Sequence, residues 1–247
     1  MPAIAHWSAK SQALEKIAHT IVITPDGAGP WPVVYLLHGM FDDHTAWLHK
    51  ATILEHAQRL GLMLVLPDGG LGFYRDVPGT ARRYESHILE LVGQVDATFR
   101  TIPGKRGIGG LSMGGYGALR LGLNHPDLFT SVTAHSSVAD VARWVREKPN
   151  LPLADAFPGG RVPPRDDLLK LIRRAGPKPR LALDCGTEDF LIEHNRTLHA
   201  AMTRAKVPHL YLEYPGAHSW EYWNARIGDA LDFHAGCFQA GRRRPRA

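Results

Sequence analysis

Short apolar runs alternate with longer amphipathic stretches along most of this chain. The apolar runs predict β-strands at residues 17–24, 33–37, 62–66, 106–111, 130–134, 181–184 and 209–214. Apolar positions at helical spacing predict helices at residues 45–60, 84–100, 113–124, 191–206 and 219–235. This alternation is typical of an α/β fold, with a mainly parallel central sheet and helices on both of its faces.

Two features interrupt the alternation. Pro25, Asp26 and Gly27 follow the first predicted strand and supply the chemistry of a turn, which indicates a hairpin near the start of the fold. Residues 139–179 are rich in proline and less regular, so we expect an excursion over the sheet edge. Such an excursion either roofs a substrate pocket or serves only as a surface connection.

The composition is that of an ordinary globular protein. Of 247 residues, 44% are hydrophobic and 21% are charged, which excludes a chain that is disordered as a whole. We expect a single domain over residues 1–240, because one α/β fold of this size buries most of its unfolded surface. The net charge is +5, and residues 241–247 hold four of the arginines. We interpret them as a solvated, disordered basic tail and expect no nucleic-acid partner.

Cys185 and Cys237 are the only cysteines, too few for a disulfide framework and without the paired spacing of metal ligands. We therefore expect reduced thiols, no bound metal and a cytoplasmic location. The first residues lack a basic segment followed by an apolar run, and no stretch approaches the ~18 apolar residues of a membrane span. The sequence leaves open whether the chain forms a homo-oligomer.

The segment Gly110-Leu111-Ser112-Met113-Gly114 fits the pattern Gly-x-Ser-x-Gly. The spacing alone would occur by chance in roughly one chain in ten of this length, so its context decides the interpretation. A predicted strand precedes the serine and a predicted helix follows it, as a strained turn that presents a nucleophile requires. The helix N-terminus favours the negative charge that develops during acyl transfer. Ser112 is therefore the candidate nucleophile.

A serine needs a general base, and the base needs an orienting acid; in this fold the chain order is serine, acid, histidine. His218 lies on a glycine-containing loop after the last predicted strand and is the candidate base. Asp184, Glu188 and Asp189 compete for the role of the acid. Asp184 lies within its predicted strand, and we favour Asp189 over Glu188 on the loop that follows.

The oxyanion of the reaction needs two hydrogen-bond donors. The backbone amide of Met113 is one, and the loop after the strand at 33–37 offers the other, most simply at Met40. His38 precedes the serine in the chain, so we expect it to have a structural role. Four aromatic residues would either narrow the acyl pocket or belong to the core: Trp47, Tyr74, Trp220 and Tyr222.

Five segments between residues 33 and 223 resemble the esterase D family of α/β-hydrolases, most of all its bacterial tributyrin-esterase and S-formylglutathione-hydrolase-like members. They read LLHGMFDDHTAW, LPDGGLGFYRD, GLSMGGYGALRLGLNHPDLF, CGTEDFLIEHNRTL and PGAHSWEYW. The resemblance implies a carboxylesterase for short acyl chains, without a metal or an organic cofactor. It places the nucleophile at Ser112, the acid at Asp189, the base at His218 and the oxyanion amides at Met40 and Met113.

Two segments depart from the family pattern. In RGIGGLS, relatives tend to carry alanine at one or more of the glycine positions, so we expect weaker packing of this strand. The segment HGMFDD lacks a glycine that many relatives carry shortly after the His-Gly pair, which affects the shape of the first oxyanion donor.

These observations favour a serine carboxylesterase that acts on a small-molecule ester through an acyl-enzyme. A thioesterase of the S-formylglutathione type is the main alternative. A polysaccharide deacetylase or feruloyl esterase and a mycolyltransferase-like acyltransferase are less favoured, because these usually act outside the cell and no export signal is visible. From other classes, a non-catalytic binding protein conflicts with the intact triad, and nucleic-acid association would rest on the arginine tail alone.

Overall fold

Eight strands form one mixed sheet in the computed structural model, which describes residues 1–148 and 153–240. The strands are β1 (Ala3–Ser11), β2 (Lys16–Thr24), β3 (Trp31–Leu37), β4 (Met63–Pro67), β5 (Thr101–Leu111), β6 (Ser131–His135), β7 (Arg180–Gly186) and β8 (Leu210–Tyr214). Their order across the sheet is β1-β2-β4-β3-β5-β6-β7-β8. The six strands from β4 to β8 are parallel, whereas β1 and β2 are antiparallel to their neighbours.

Helices cover both faces of the sheet. They are α1 (Ala46–Lys50), α2 (Ile53–Leu60), α3 (Tyr84–Thr98), α4 (Met113–Asn124), α5 (Val141–Glu147), α6 (Leu153–Ala156), α7 (Leu168–Leu171), α8 (Ile192–Arg204) and α9 (Trp220–Ala240), with one 3-10 turn at Pro158–Gly160. Alternate residues of β3 enter two separate apolar clusters, because successive side chains of a strand point to opposite faces. Within the described ranges, no helix is both long enough and apolar enough to cross a bilayer.

The fold class agrees with the prediction, but two local predictions were wrong and one strand was not predicted. The stretch 45–60 forms two helices rather than one, because the chain is extended at Ala51 between α1 and α2. Pro25–Gly27 does not close a hairpin, since β2 pairs with β1 and β4. Strand β1 was not predicted, because only one of its nine residues is buried and it therefore lacks a buried apolar pattern.

The irregular stretch 139–179 contains the short helices α5, α6 and α7, and residues 149–152 lie outside the described residues, as does the predicted tail at 241–247. A buried ion cluster ties this stretch to α4. Arg120 Nε donates a hydrogen bond to Asp166, and Arg120 Nη2 donates one to Glu85; both donor–acceptor distances are 2.6 Å. Burial alone would raise the pKa of Glu85, but the donors of His125 and Arg120 outweigh it and lower that pKa to about 2.

The glycines of β5 leave space that a histidine fills. A Cβ at Gly107 or Gly109 would collide with the ring of His234 or with the Thr133 hydroxyl. The fully buried imidazole of His234 lies 2.7 Å from Ser131 Oγ and 3.0 Å from Thr133 Oγ1. Burial lowers its pKa to about 3, so the ring is neutral. The expectation of weaker strand packing was therefore wrong: the space is occupied from α9.

Candidate active site

Ser112 stands at the sharp turn between β5 and α4. Its backbone has φ 53° and ψ −115°, a left-handed conformation that is strained for a residue other than glycine. Gly110 and Gly114 flank it where the backbone passes so closely that a Cβ at Gly110 would lie 2.6 Å from the carbonyl of Gly114. The turn thus lifts the Ser112 side chain above the carboxyl edge of the sheet.

His218 lies on the loop between β8 and α9, at the same edge of the sheet as Ser112. Its Nε2 is 3.0 Å from Ser112 Oγ. Its Nδ1 is 2.8 Å and 3.0 Å from the two carboxylate oxygens of Asp189. When Nδ1 carries the proton and donates it to Asp189, Nε2 has a free lone pair for the serine hydroxyl. The structure therefore brings all three predicted residues together in the order that proton transfer requires.

The three candidate acids occupy different positions. Asp189 is 2% exposed and holds its place by accepting the amide of Leu191 at 2.8 Å. Glu188 is exposed, and its pKa is lowered by the Thr187 hydroxyl and then by the Gly216 amide, which both donate to it. This contact ties the Glu188 loop to the His218 loop.

Asp184 bonds groups other than His218. It accepts the hydroxyl of Tyr222 at 2.8 Å, and its carboxylate lies 2.7 Å from His135 Nδ1. Asp189 is therefore the carboxylate that contacts His218.

The segments of Met40 and Met113 lie on two sides of the serine. Met113 is the first residue of α4, where a backbone amide has no carbonyl of its own helix to bond. Met40 belongs to the loop after β3, which passes so close that a Cβ at Gly39 would lie 3.7 Å from Ser112 Cβ. The Met40 side chain lines the adjacent cavity, whereas Met113 is fully buried in the core.

A cavity of about 720 Å³ opens beside Ser112 and His218. Its aromatic wall consists of Phe41, Trp144, Phe190 and Trp223. Trp144 belongs to α5, so the excursion at 139–179 contributes to the pocket wall. A larger groove of about 970 Å³, at the opposite edge of the sheet near Arg180 and Lys206, contains none of the predicted catalytic residues.

The four aromatic residues selected from the sequence pack elsewhere; among the described residues that line the cavity, none of them appears. Trp47 donates to the Leu37 carbonyl and Tyr74 to the His38 carbonyl, both within the core. Phe190 lines the cavity but was not among the aromatic residues selected from the sequence, although it directly follows Asp189. No local pattern marks Trp144 or Trp223, because α5 and α9 bring them to the site from distant parts of the chain.

His38 is fully buried and bonds the backbone of the two loops around it, with the Asp68 carboxylate 3.4 Å from its Nε2. Its Nδ1 lies 2.7 Å from the Gly39 carbonyl, and its Nε2 accepts the Gly69 amide at 2.8 Å. This histidine joins the loops after β3 and β4. Across the part of the chain that the structure describes, no group of three or more His, Cys, Asp or Glu residues is placed to hold a metal ion.

The mainly parallel sheet, the serine at its carboxyl edge and the adjoining histidine define the class of α/β-hydrolase enzymes. The family model described as "Putative esterase" matches residues 11–234, and the chain therefore belongs to this family of ester-hydrolysing enzymes. An acetyl esterase from Caldicellulosiruptor saccharolyticus is 31% identical over 81% of this chain and 82% of its own.

Two further relatives widen the comparison. An S-formylglutathione hydrolase from Paracoccus denitrificans is 26% identical over 87% of this chain and 86% of its own. The solved S-formylglutathione hydrolase from Staphylococcus aureus superposes with a TM-score of 0.84 at 23% identity, covering 95% of this chain and 99% of its own. At 23% identity, this structural similarity shows that the two proteins share a fold and supports nothing further.

Proposed function

We propose that Ser112, His218 and Asp189 are the catalytic triad of a serine carboxylesterase for short-chain acyl esters. The observation that carries the proposal is the continuous contact from Asp189 through His218 to the Ser112 hydroxyl, with distances of 2.8 Å and 3.0 Å. A serine hydroxyl is a weak nucleophile unless a neighbouring base removes its proton. When His218 Nδ1 donates its proton to Asp189, Nε2 is free to act as this base, which supports the proposal.

In the first half-reaction, His218 Nε2 accepts the Ser112 proton while Oγ attacks the ester carbonyl. The backbone amides of Met40 and Met113 donate to the resulting oxyanion. The tetrahedral intermediate then collapses, and the protonated His218 gives its proton to the departing alcohol oxygen. The products are the free alcohol and an acyl ester on Ser112.

In the second half-reaction, His218 takes a proton from water, and the hydroxide oxygen attacks the acyl carbonyl. Collapse returns the proton from His218 to Ser112 Oγ and releases the carboxylic acid. In both steps the Asp189 carboxylate stabilises the imidazolium, and its burial strengthens this interaction.

An ester of a short acyl chain is the substrate class that the acetyl esterase relative supports. A thioester of the S-formylglutathione type is the second candidate, which the Paracoccus denitrificans relative supports. Both use the same chemistry, because the triad attacks a carbonyl carbon whether oxygen or sulfur leaves. We further propose that the enzyme works in the cytoplasm, since Cys185 and Cys237 are both free thiols.

Ser112→Ala tests the proposal. The variant should lose burst and turnover with p-nitrophenyl acetate while its circular dichroism stays unchanged. Ser137→Ala is the matched control: its hydroxyl is buried and bonds no group among the described residues, so activity should persist. Retained turnover in Ser112→Ala would contradict the assignment, and an inactive but folded wild type would favour a non-catalytic binding protein.

The substrate class requires a separate measurement. We would compare kcat/KM across p-nitrophenyl esters from C2 to C12 and S-formylglutathione. We expect the highest value for the short esters. A clear preference for S-formylglutathione would instead assign the enzyme to the thioesterase alternative.

A further inference from the structure

Ser136, the residue after the end of β6, has a strained backbone. Its φ is 47°, in the left-handed region that favours glycine, and its side chain is fully buried. Such a conformation persists where the surrounding structure imposes it, and residues of this kind cluster at functional sites. The position therefore raises the question of what the serine side chain does there.

Two hydrogen bonds hold Ser136 in place. Its amide donates to the Asp184 carbonyl at 2.8 Å, and its Oγ accepts the indole N–H of Trp223 at 3.1 Å. The Ser136 hydroxyl thus satisfies the indole nitrogen of a tryptophan that is itself only 5% exposed.

The ring of Trp223 packs directly against His218. The two ring centroids are 4.9 Å apart, and the planes are almost perpendicular, at 89°. Phe190 packs against the same imidazole with a centroid distance of 4.4 Å. His218 lies on a partly exposed loop, so these two rings and the Asp189 carboxylate restrict how the imidazole can rotate.

Ser136 is also connected to Ser112, through the residue that precedes it in the chain. The preceding residue, His135, accepts the Ser112 amide through its backbone carbonyl at 2.9 Å. A short path of buried contacts therefore runs from the Ser112 backbone through His135 and Ser136 to Trp223 and the His218 ring.

We propose that Ser136 and Trp223 are positioning residues that set the distance and angle between Ser112 Oγ and His218 Nε2. The inference rests on the proposed function, because it requires Ser112 and His218 to react with each other. It explains why a serine is retained at a backbone position that glycine would occupy more easily. Trp223 also offers an aromatic surface to the imidazolium that forms during the reaction.

The first test is Ser136→Gly, which removes the hydroxyl and suits the left-handed backbone. Relief of the strain offsets the lost hydrogen bond, so we expect little change in the midpoint of thermal unfolding. We expect kcat for p-nitrophenyl acetate to fall about tenfold, with KM within about twofold of wild type, because misplacement affects the reacting groups more than substrate binding.

Trp223→Phe keeps an aromatic ring beside His218 but removes the N–H that bonds Ser136. It should lower kcat to a similar degree. The kcat of the double variant should be no lower than that of the slower single variant, because both substitutions remove the same hydrogen bond. If the two reductions in kcat multiply in the double variant, the two residues do not share a role.

Lys206→Gly is the matched control for backbone strain. Lys206 has φ 55°, is exposed and lies near the groove at the opposite edge of the sheet. This variant should unfold at a slightly higher temperature and keep its kcat.

The inference is overturned if Ser136→Gly keeps the wild-type kcat, or if it raises KM and leaves kcat alone. Ser112→Ala, measured in parallel, separates the two hypotheses. A fully active Ser112→Ala refutes the proposed function, whereas an inactive Ser112→Ala beside an unaffected Ser136→Gly refutes only the positioning role.

Discussion

Acidification from pH 7 to pH 5 should destabilise the fold through the buried imidazole of His234. Burial, with a smaller contribution from the neighbouring His135, lowers the pKa of His234 to about 3 in the folded protein. In the unfolded chain the pKa returns to about 6.5. Above that value both states are neutral at this residue. As the pH falls below it, only the unfolded state takes up the proton, so the free energy of unfolding decreases.

The magnitude follows from proton linkage. Each pH unit between the two pKa values costs about 1.4 kcal/mol, so His234 alone removes about 2 kcal/mol between pH 7 and pH 5. This is a large part of the roughly 5–15 kcal/mol by which a domain is stable. The loss should continue toward pH 3 and level off there, where the folded state begins to take up the proton as well.

We would measure urea unfolding by circular dichroism at pH 7, 6 and 5 for the wild type and for His234→Gln. Glutamine retains hydrogen-bonding groups for Ser131 and Thr133 but does not titrate. The wild type should lose about 2 kcal/mol more than the variant over this range, because other titrating groups act equally in both proteins. His49→Gln, at an exposed position, serves as the control and should follow the wild type. Parallel pH profiles for wild type and His234→Gln would refute the argument.

Three further predictions concern the triad, the strand before the serine and the buried ion cluster. Asp189→Asn should lower kcat for p-nitrophenyl acetate about 10⁴-fold, because the His218 tautomer is lost, while Glu188→Gln should remain within an order of magnitude of wild type; the opposite ranking would reassign the acid. Gly107→Ala should lower the free energy of unfolding by about 1–3 kcal/mol, as its Cβ would collide with the ring from α9; an unchanged urea midpoint would contradict this. Arg120→Met should lower the free energy of unfolding by about 3–5 kcal/mol, since Asp166 and Glu85 lose the buried cation that they share. An unchanged urea midpoint would show that the remaining partners, Arg75, His125 and Arg165, are sufficient.

The buried strands and the turn at Ser112 were predictable because their signals are local. A continuous apolar run marks a strand that is covered on both faces, and β3 and β4 are such strands. The exposed β1 carries no such signal. Ser112, Asp189 and His218 could be selected because the fold fixes their order along the chain and the edge at which they meet.

Contacts between distant segments could not be predicted in this way. Trp223 and Ser136 are 87 residues apart, and no sequence motif links the two positions. His234 fills the space above Gly107 from a helix that begins more than a hundred residues later. Such pairs depend on how a helix is rotated against the sheet, and the apolar pattern of a helix defines its buried face without defining which side chain meets which neighbour.

Phe41, on the loop after β3, has a strained backbone. Phe41 follows Met40, the predicted oxyanion donor, and has φ 70°, so its backbone adopts a conformation that glycine would favour, although the side chain is bulky. The strain costs on the order of 1 kcal/mol, and the ring is 73% exposed, so packing within the protein does not repay it. The ring does line the cavity beside Ser112, where a bound substrate would cover it. The Phe41 ring is therefore placed to contact a bound substrate at the mouth of the pocket.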